Sequence, residues 1–244
     1  RDRLRSRGLG DVYKRQFPKL EGVLDAIYNP LRTNLILDAQ ERGIPAEGGL
    51  YMLSAQAVYA SAVFQSIKLD ESLIKRAFDS VKSAKQNIVL VGMPSSGKTT
   101  VGRILAEKCG KELADTDEYI VKKIGMSISD FFAKFGEPEF RRIEKETIAE
   151  LAATGGKVIA TGGGAVLDPE NVRALKQNGT IVFLDRAPEN LIATDDRPLA
   201  SRRSALEKLY AERYDIYTAA AEIRIDANTT PEAEADAILK ELGE

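Results

Sequence analysis

The chain has 244 residues, 43% of them apolar, enough to bury at least one full core and to leave room for a second domain. Its 35 Lys and Arg against 37 Asp and Glu give a formal net charge of −2, which argues against a basic face that neutralises a nucleic-acid backbone. The absence of histidine removes imidazole from base, triad and metal-ligand duty, and the lone Cys109 excludes an internal disulfide or a thiolate zinc site, so any chemistry falls to carboxylates, Lys, Arg and an oxygen-bound metal.

In chain order, residues 1–16 are basic, patternless and without the apolar run of a signal peptide, and they read as a non-native leader set aside from the fold. Val23–Tyr28 reads as a strand, Asn29-Pro30 as a turn, and a helix follows to Arg42, closed by Gly43. Gly48-Gly49 opens another helix through Met52, Ala57 and Val63. Asp70–Lys85 carries Leu73, Ile74, Ala77, Phe78 and Val81 on one face, the pattern of an amphipathic linker helix. The expected organisation is therefore a small, mostly helical appendage over 17–65, a linker helix over 66–85 and a main domain over 86–244. No stretch approaches the roughly 20 apolar residues that span a bilayer, so a cytoplasmic protein without a membrane partner is expected.

From Gln86 onward, strands alternate with helices, the signature of an α/β domain with a parallel sheet covered on both faces. Strands are predicted at Asn87–Val91, Glu112–Ala114, Lys157–Ala160, Thr180–Asp185 and Ile223–Asp226. The first runs into Gly92-Met93-Pro94-Ser95-Ser96-Gly97-Lys98-Thr99-Thr100, which fits G-x-x-x-x-G-K-[ST], and a helix from Thr99 to Cys109 follows, ending at Gly110. In that context the loop can turn backbone N–H groups onto a nucleotide's phosphates, Lys98 can reach the β/γ oxygens and the Thr99 hydroxyl can ligate Mg²⁺. A Gly-rich turn before an ordinary helix is the bland alternative. Asp115 and Asp117 stand just past the second strand, beside that loop, where one carboxylate can serve the metal through water and the other a reacting hydroxyl.

Arg141 and Glu144 share a helix face at i, i+3, so Glu144 can orient a guanidinium fork toward a carboxylate or phosphate; a plain surface ion pair fits the same spacing. Gly162-Gly163-Gly164 closes the third strand and lets backbone approach a ligand directly, although a glycine triplet alone is weak evidence. Asp195-Asp196-Arg197-Pro198-Leu199 lies in a polar stretch between helices, suited to a lid that brings a cation to a transferring phosphoryl group. Arg213 and Tyr217 follow four apart on the next helix. Asp168-Pro169 and Thr230-Pro231 each read as a cap followed by a first-turn proline.

Gly92–Thr99, Asp115-x-Asp117, Phe140-Arg141-x-x-Glu144, Gly162–Gly164, Arg197-Pro198-Leu199 and Arg213-x-x-x-Tyr217, in this order, strongly resemble shikimate kinase over Gln86 to Glu244. The resemblance implies a P-loop domain like the nucleoside-monophosphate kinases, with a five-stranded parallel sheet flanked by helices, acting as a monomer. It implies phosphoryl transfer from ATP to the 3-hydroxyl of shikimate in aromatic amino-acid biosynthesis. Gly92 through Thr100 and Arg197 would bind ATP, and Thr99 and Asp115 would serve Mg²⁺. Asp117, Arg141, Gly162, Gly163, Gly164 and Arg213 would contact shikimate, with the two arginines on its carboxylate. Lys98, Asp117 and Arg197 would be the catalytic residues.

Two departures from the family pattern are visible. Leu184–Arg197 is shorter than the usual lid region and has no arginine between Ala187 and Asp196 to stack on adenine, which turns attention to Asn228–Pro231. Ala200 stands where the family usually has a second leucine. Asp25, Tyr28-Asn29-Pro30, Thr33, Gly49-Leu50-x-Met52-Leu53 and Gln56-Ala57 resemble the C-terminal end of shikimate dehydrogenase, in which Tyr28 and Gln56 would face shikimate. That family's catalytic Lys/Asp pair and dinucleotide fingerprint are missing from this chain, so the segment reads as a severed, inactive piece whose orphaned first strand exposes apolar surface. The rival readings are a gluconate-type kinase, a nucleotide-binding module without turnover, and a dehydrogenase.

Overall fold

The computed structural model describes residues 19–191 and 203–243. The chain divides into two units, one running to Gln86 and including Lys176–Asn178, the other formed by Asn87–Leu175 and Gly179–Glu244.

In the first unit, β1 (Val23–Leu24) leads to α1 (Asn34–Gln40), β2 (Ala46–Glu47), α2 (Leu50–Gln65) and α3 (Ser72–Lys85). The predicted strand Val23–Tyr28 is therefore only its first two residues. It stops because Asp25 diverts the chain: Oδ1 accepts the Ile27 N–H at 3.0 Å and Oδ2 accepts the Thr33 hydroxyl at 2.6 Å, so the backbone turns instead of extending a ladder. Nor is the strand an orphan, since β1 pairs in parallel with β2. The helix expected to reach Arg42 ends at Gln40, before Gly43 at φ 68°.

The linker helix starts at Ser72 because Asp70 Oδ1 accepts the Ser72 N–H and folds the preceding turn. Of its predicted apolar face only Ile74 is buried, while Leu73 and Val81 stay exposed. Tyr51 of α2 meets Phe78 of α3 edge-on, with ring centroids 5.6 Å apart. The C-terminal half of α2 keeps Val63 and Phe64 in solvent, Phe64 at 88% exposure.

The second unit carries the five strands read from the sequence: β3 (Asn87–Val91), β4 (Glu112–Asp115), β5 (Lys157–Ala160), β6 (Gly179–Asp185) and β7 (Ile223–Asp226). All pairs are parallel, in the order β4-β5-β3-β6-β7. The α-helices between and after them are α4 (Lys98–Cys109), α5 (Thr116–Ile124), α6 (Ile128–Ala152), α7 (Pro169–Asn178), α8 (Arg203–Ala220) and α9 (Pro231–Leu242). Alternation along β3 builds the two layers. Val89 and Val91 join Ile148, Phe183, Leu206 and Tyr217 on one face, while Ile88 and Leu90 join Val101, Leu105, Ala235 and Ile238 on the other.

Helix ends follow the local signals. Asp168 Oδ1 accepts the Glu170 N–H at 2.8 Å, Thr230 Oγ1 accepts the Ala233 N–H at 3.3 Å, and in each case proline takes the first helical position. Helix α6 is two segments, broken at Gly136 (φ 80°, ψ 171°) just before Pro138, so Arg141 and Glu144 lie in the second segment. Among the described residues, no helix is long and apolar enough to cross a membrane.

Candidate active site

The chain leaves β3 for β4 and returns through β5 on one side of it, then crosses to β6 on the other. The carboxyl end of β3 therefore lies at the topological switch point, where such sheets bind ligands. The loop Gly92–Gly97 starts there and feeds α4, with Gly97 in the left-handed region at φ 91° and Lys98 as the first helical residue. Lys98 is buried and donates through Nζ to the carbonyls of Gly92 at 3.0 Å and Met93 at 2.7 Å. Its ammonium thus sits inside the curve of its own loop, with the Ser96 hydroxyl 3.4 Å away.

Thr99 Oγ1 donates to Asp115 Oδ2 at 2.6 Å, which brings together the two residues expected at a metal. Asp115 has a second task that the sequence reading missed: Oδ1 caps α5 by accepting the N–H of Asp117 at 2.9 Å and of Glu118 at 3.3 Å. Among the described residues there is no cluster of three carboxylate, Cys or His ligands. A hydroxyl and a carboxylate oxygen side by side next to a phosphate loop still fit Mg²⁺, which takes one or two protein oxygens and draws its other ligands from phosphate and water.

Facing the loop are the cations. Arg141 Nη1 donates to Glu144 Oε2 at 2.7 Å, and its Nη2 donates to Glu137 Oε1 at 2.9 Å. Glu137, at i−4 from Arg141, was legible in the spacing and was passed over. Glu144 is 2% exposed, and burial pushes its carboxyl above the usual range, with Arg141 and Arg213 pulling it partway back. Burial alone would weaken the hold of Arg141 on its proton, but Glu144 and Glu137 more than offset it, so the guanidinium stays charged.

The glycine triplet joins these parts. A Cβ on Gly162 would lie 2.7 Å from Asp117 Oδ1, one on Gly163 2.9 Å from Pro94 Cδ, and one on Gly164 would run into the Arg141 guanidinium. Any side chain there would displace the carboxylate, the loop or the guanidinium. Gly162 N–H donates to the buried Thr116 hydroxyl at 2.8 Å, so the residue between the two aspartates, read only as a spacer, ties β4 to the triplet. On the other side, Arg213 Nη1 donates to the Gly163 carbonyl at 3.0 Å, and the Tyr217 hydroxyl donates to the same oxygen. Burial holds the Tyr217 phenol at about 12, so it remains a donor at neutral pH.

The site thus has a wall of amides with a buried ammonium for a phosphate chain and, across the triplet, two guanidinium groups with one carboxylate for a small anionic alcohol. Arg197, with Asp195, Asp196, Pro198, Leu199 and Ala200, lies outside the described residues.

A protein-family model described as shikimate kinase matches residues 94–243. A shikimate kinase of Symbiobacterium thermophilum is 45% identical over 148 residues, which is 57% of this chain and 85% of that protein. One from Thermodesulfovibrio yellowstonii is 42% identical over 165 residues, 64% of this chain and 94% of that protein. Among solved structures, the shikimate kinase of Acinetobacter baumannii in complex with shikimate superposes with a TM-score of 0.63 at 36% identity, over 67% of this chain and 96% of that one.

Proposed function

The chain belongs to the shikimate kinase family, and from that premise we propose that it transfers the terminal phosphoryl group of ATP to the 3-hydroxyl of shikimate, giving shikimate 3-phosphate and ADP. The observation that carries this reading is the triplet Gly162–Gly164, packed between Pro94 of the phosphate loop on one side and Asp117 and Arg141 on the other. A phosphate chain on the loop and an acid gripped by Arg141 and Arg213 would meet across three residues without side chains.

In this mechanism the loop amides from Gly92 to Thr100 and the Lys98 ammonium hold the β/γ phosphates. Thr99 and Asp115 would hold Mg²⁺, which when bound supplies charge neutralisation at the phosphate oxygens. Arg141 and Arg213 fix the shikimate carboxylate, and Asp117 orients the 3-hydroxyl and accepts its proton as the bond forms. Transfer is in line, without a covalent enzyme intermediate. It needs positioning and charge more than a strong base, which suits a chain without histidine. Arg197 completes the proposal as the cation that meets the γ-phosphoryl group. By likeness to the family, the kinase unit works as a monomer in the cytoplasm on these small molecules. The first unit is proposed to be a C-terminal fragment of a shikimate dehydrogenase, inactive because this chain has neither a dinucleotide fingerprint nor the catalytic Lys/Asp pair.

The test is ADP release coupled to NADH oxidation, run with shikimate, with gluconate and with no acceptor, each with and without Mg²⁺. ADP should appear with shikimate and Mg²⁺ and not with gluconate. NADPH should not form when shikimate and NADP⁺ are supplied. ATP binding without shikimate-dependent ADP would leave only a nucleotide-binding module.

A further inference from the structure

Arg186 follows β6 directly and belongs to none of the motifs above. Its Nη2 donates to Glu234 Oε1 at 3.0 Å, and a Cβ on Gly97 would lie 3.5 Å from the same nitrogen. The Glu234 side chain is fully buried in the first turn of α9, and that of Arg186 is 20% exposed. A buried carboxylate is costly unless a cation meets it, so these two residues hold each other in place. They do so at one point only, because Arg186 Nε and Glu234 Oε2 are buried without a hydrogen-bond partner. An ion pair that satisfied only the core would be expected to use those atoms as well.

Two further ties flank the pair at the end of β6. The Ala227 N–H donates to the Asp185 carbonyl at 3.0 Å, and the Ala187 N–H donates to Asn228 Oδ1, also at 3.0 Å. Asp185 and Ala187 are therefore stitched to the turn between β7 and α9, while Arg186 between them is tied to the first turn of α9 and also reaches the glycine that precedes Lys98. A guanidinium fits this position because its rigid plane can face Gly97 while one amino group serves Glu234; a lysine offers the charge without the plane.

We propose that Arg186 is a positioning residue for the nucleotide: anchored by Glu234, it stands behind Gly97 and sets both the turn into α4 and the neighbouring Asn228–Pro231 loop. The inference rests on reading Gly92–Thr100 as the ATP loop. It predicts that loss of the pair is felt by the nucleotide and not by the acid substrate.

The experiment uses the full chain and three variants, R186M, R186K and the double R186M/E234M, which replaces both charges by apolar groups and so leaves no buried charge unpaired. A non-hydrolysable ATP analogue is titrated by calorimetry, KM is measured for ATP and for shikimate, and circular dichroism monitors folding. The double variant should fold, bind the analogue at least ~5-fold more weakly and keep its shikimate KM within about twofold, with R186K intermediate. A double variant that binds the analogue like the parent, or that raises both KM values equally, overturns the proposal. R186M alone leaves the Glu234 carboxylate buried without its cation, so the double variant decides. If the parent makes no ADP from shikimate, the functional reading fails, while the analogue titration still judges Arg186.

Discussion

At the scale of single residues, the site depends on how Arg141 is shared. Its guanidinium is 27% exposed and already holds two carboxylates of its own chain, so it is pre-aimed before a ligand arrives. Arg141→Ala should weaken shikimate binding by about 2 kcal/mol, the low end for a hydrogen-bonded charge pair because the group is not fully buried. Initial rates should show shikimate KM up by roughly 30-fold and ATP KM within about twofold. The opposite split would assign the carboxylate clamp to the wrong arginine.

Glu144 gives a pH prediction whose sign is unusual for an acid. Burial raises its folded-state pKa above the unfolded value, so the folded chain holds this proton more tightly. The stability it contributes is complete below the unfolded pKa and is lost as pH rises through the folded one. Relative to Glu144→Gln, the parent should therefore lose Tm as pH climbs from about 4 toward neutrality, the window opened by that upward shift. Parallel Tm-against-pH curves for the two proteins would show that Glu144 does not titrate across the fold.

At the scale of elements, what the sequence made legible is what local chemistry decides. β3, β5 and β6 carry apolar runs, while β4 (Glu112–Asp115) and β7 (Ile223–Asp226) are short mixed segments, and each of the five appears within a residue of its predicted bounds. The loop, the aspartates, the Arg141 helix and the triplet could be located because their types and spacings are themselves the signal. The strand Val23–Tyr28 was misread because Asp25 spends its side chain on Ile27 and Thr33, a competition that apolar alternation does not register. The pairing of Arg186 with Glu234 spans 48 residues, and nothing in the neighbourhood of either residue announces it. Arg197 is read from the sequence alone. The break in α6 was there to be read in Gly136-Glu137-Pro138, but it takes the backbone angle to show what it does. At φ 80°, Gly136→Ala should cost about 1–2 kcal/mol, because a Cβ is strained there and no relief is available from the packed second segment. Urea unfolding with an unchanged m-value and a lowered midpoint is the expected result; an unchanged midpoint would mean that the two segments can straighten into one helix.

For the whole molecule, the question is whether the kinase unit needs what precedes it. Every residue of the three core clusters comes from Ile88 onward, so the five-stranded sheet finds its apolar cover within the second unit. The matched family residues begin at 94, and 67% of this chain accounts for 96% of the Acinetobacter baumannii kinase. A shikimate kinase of that length thus has almost nothing corresponding to the remaining third. A chain starting at Gln86 should fold cooperatively and keep kcat and both KM values within about twofold of the full chain, since no proposed site residue lies before Gly92. A tenfold fall in kcat with the fold intact would mean instead that the first unit acts on catalysis, and its reading as an inert fragment would give way to one of control over the kinase.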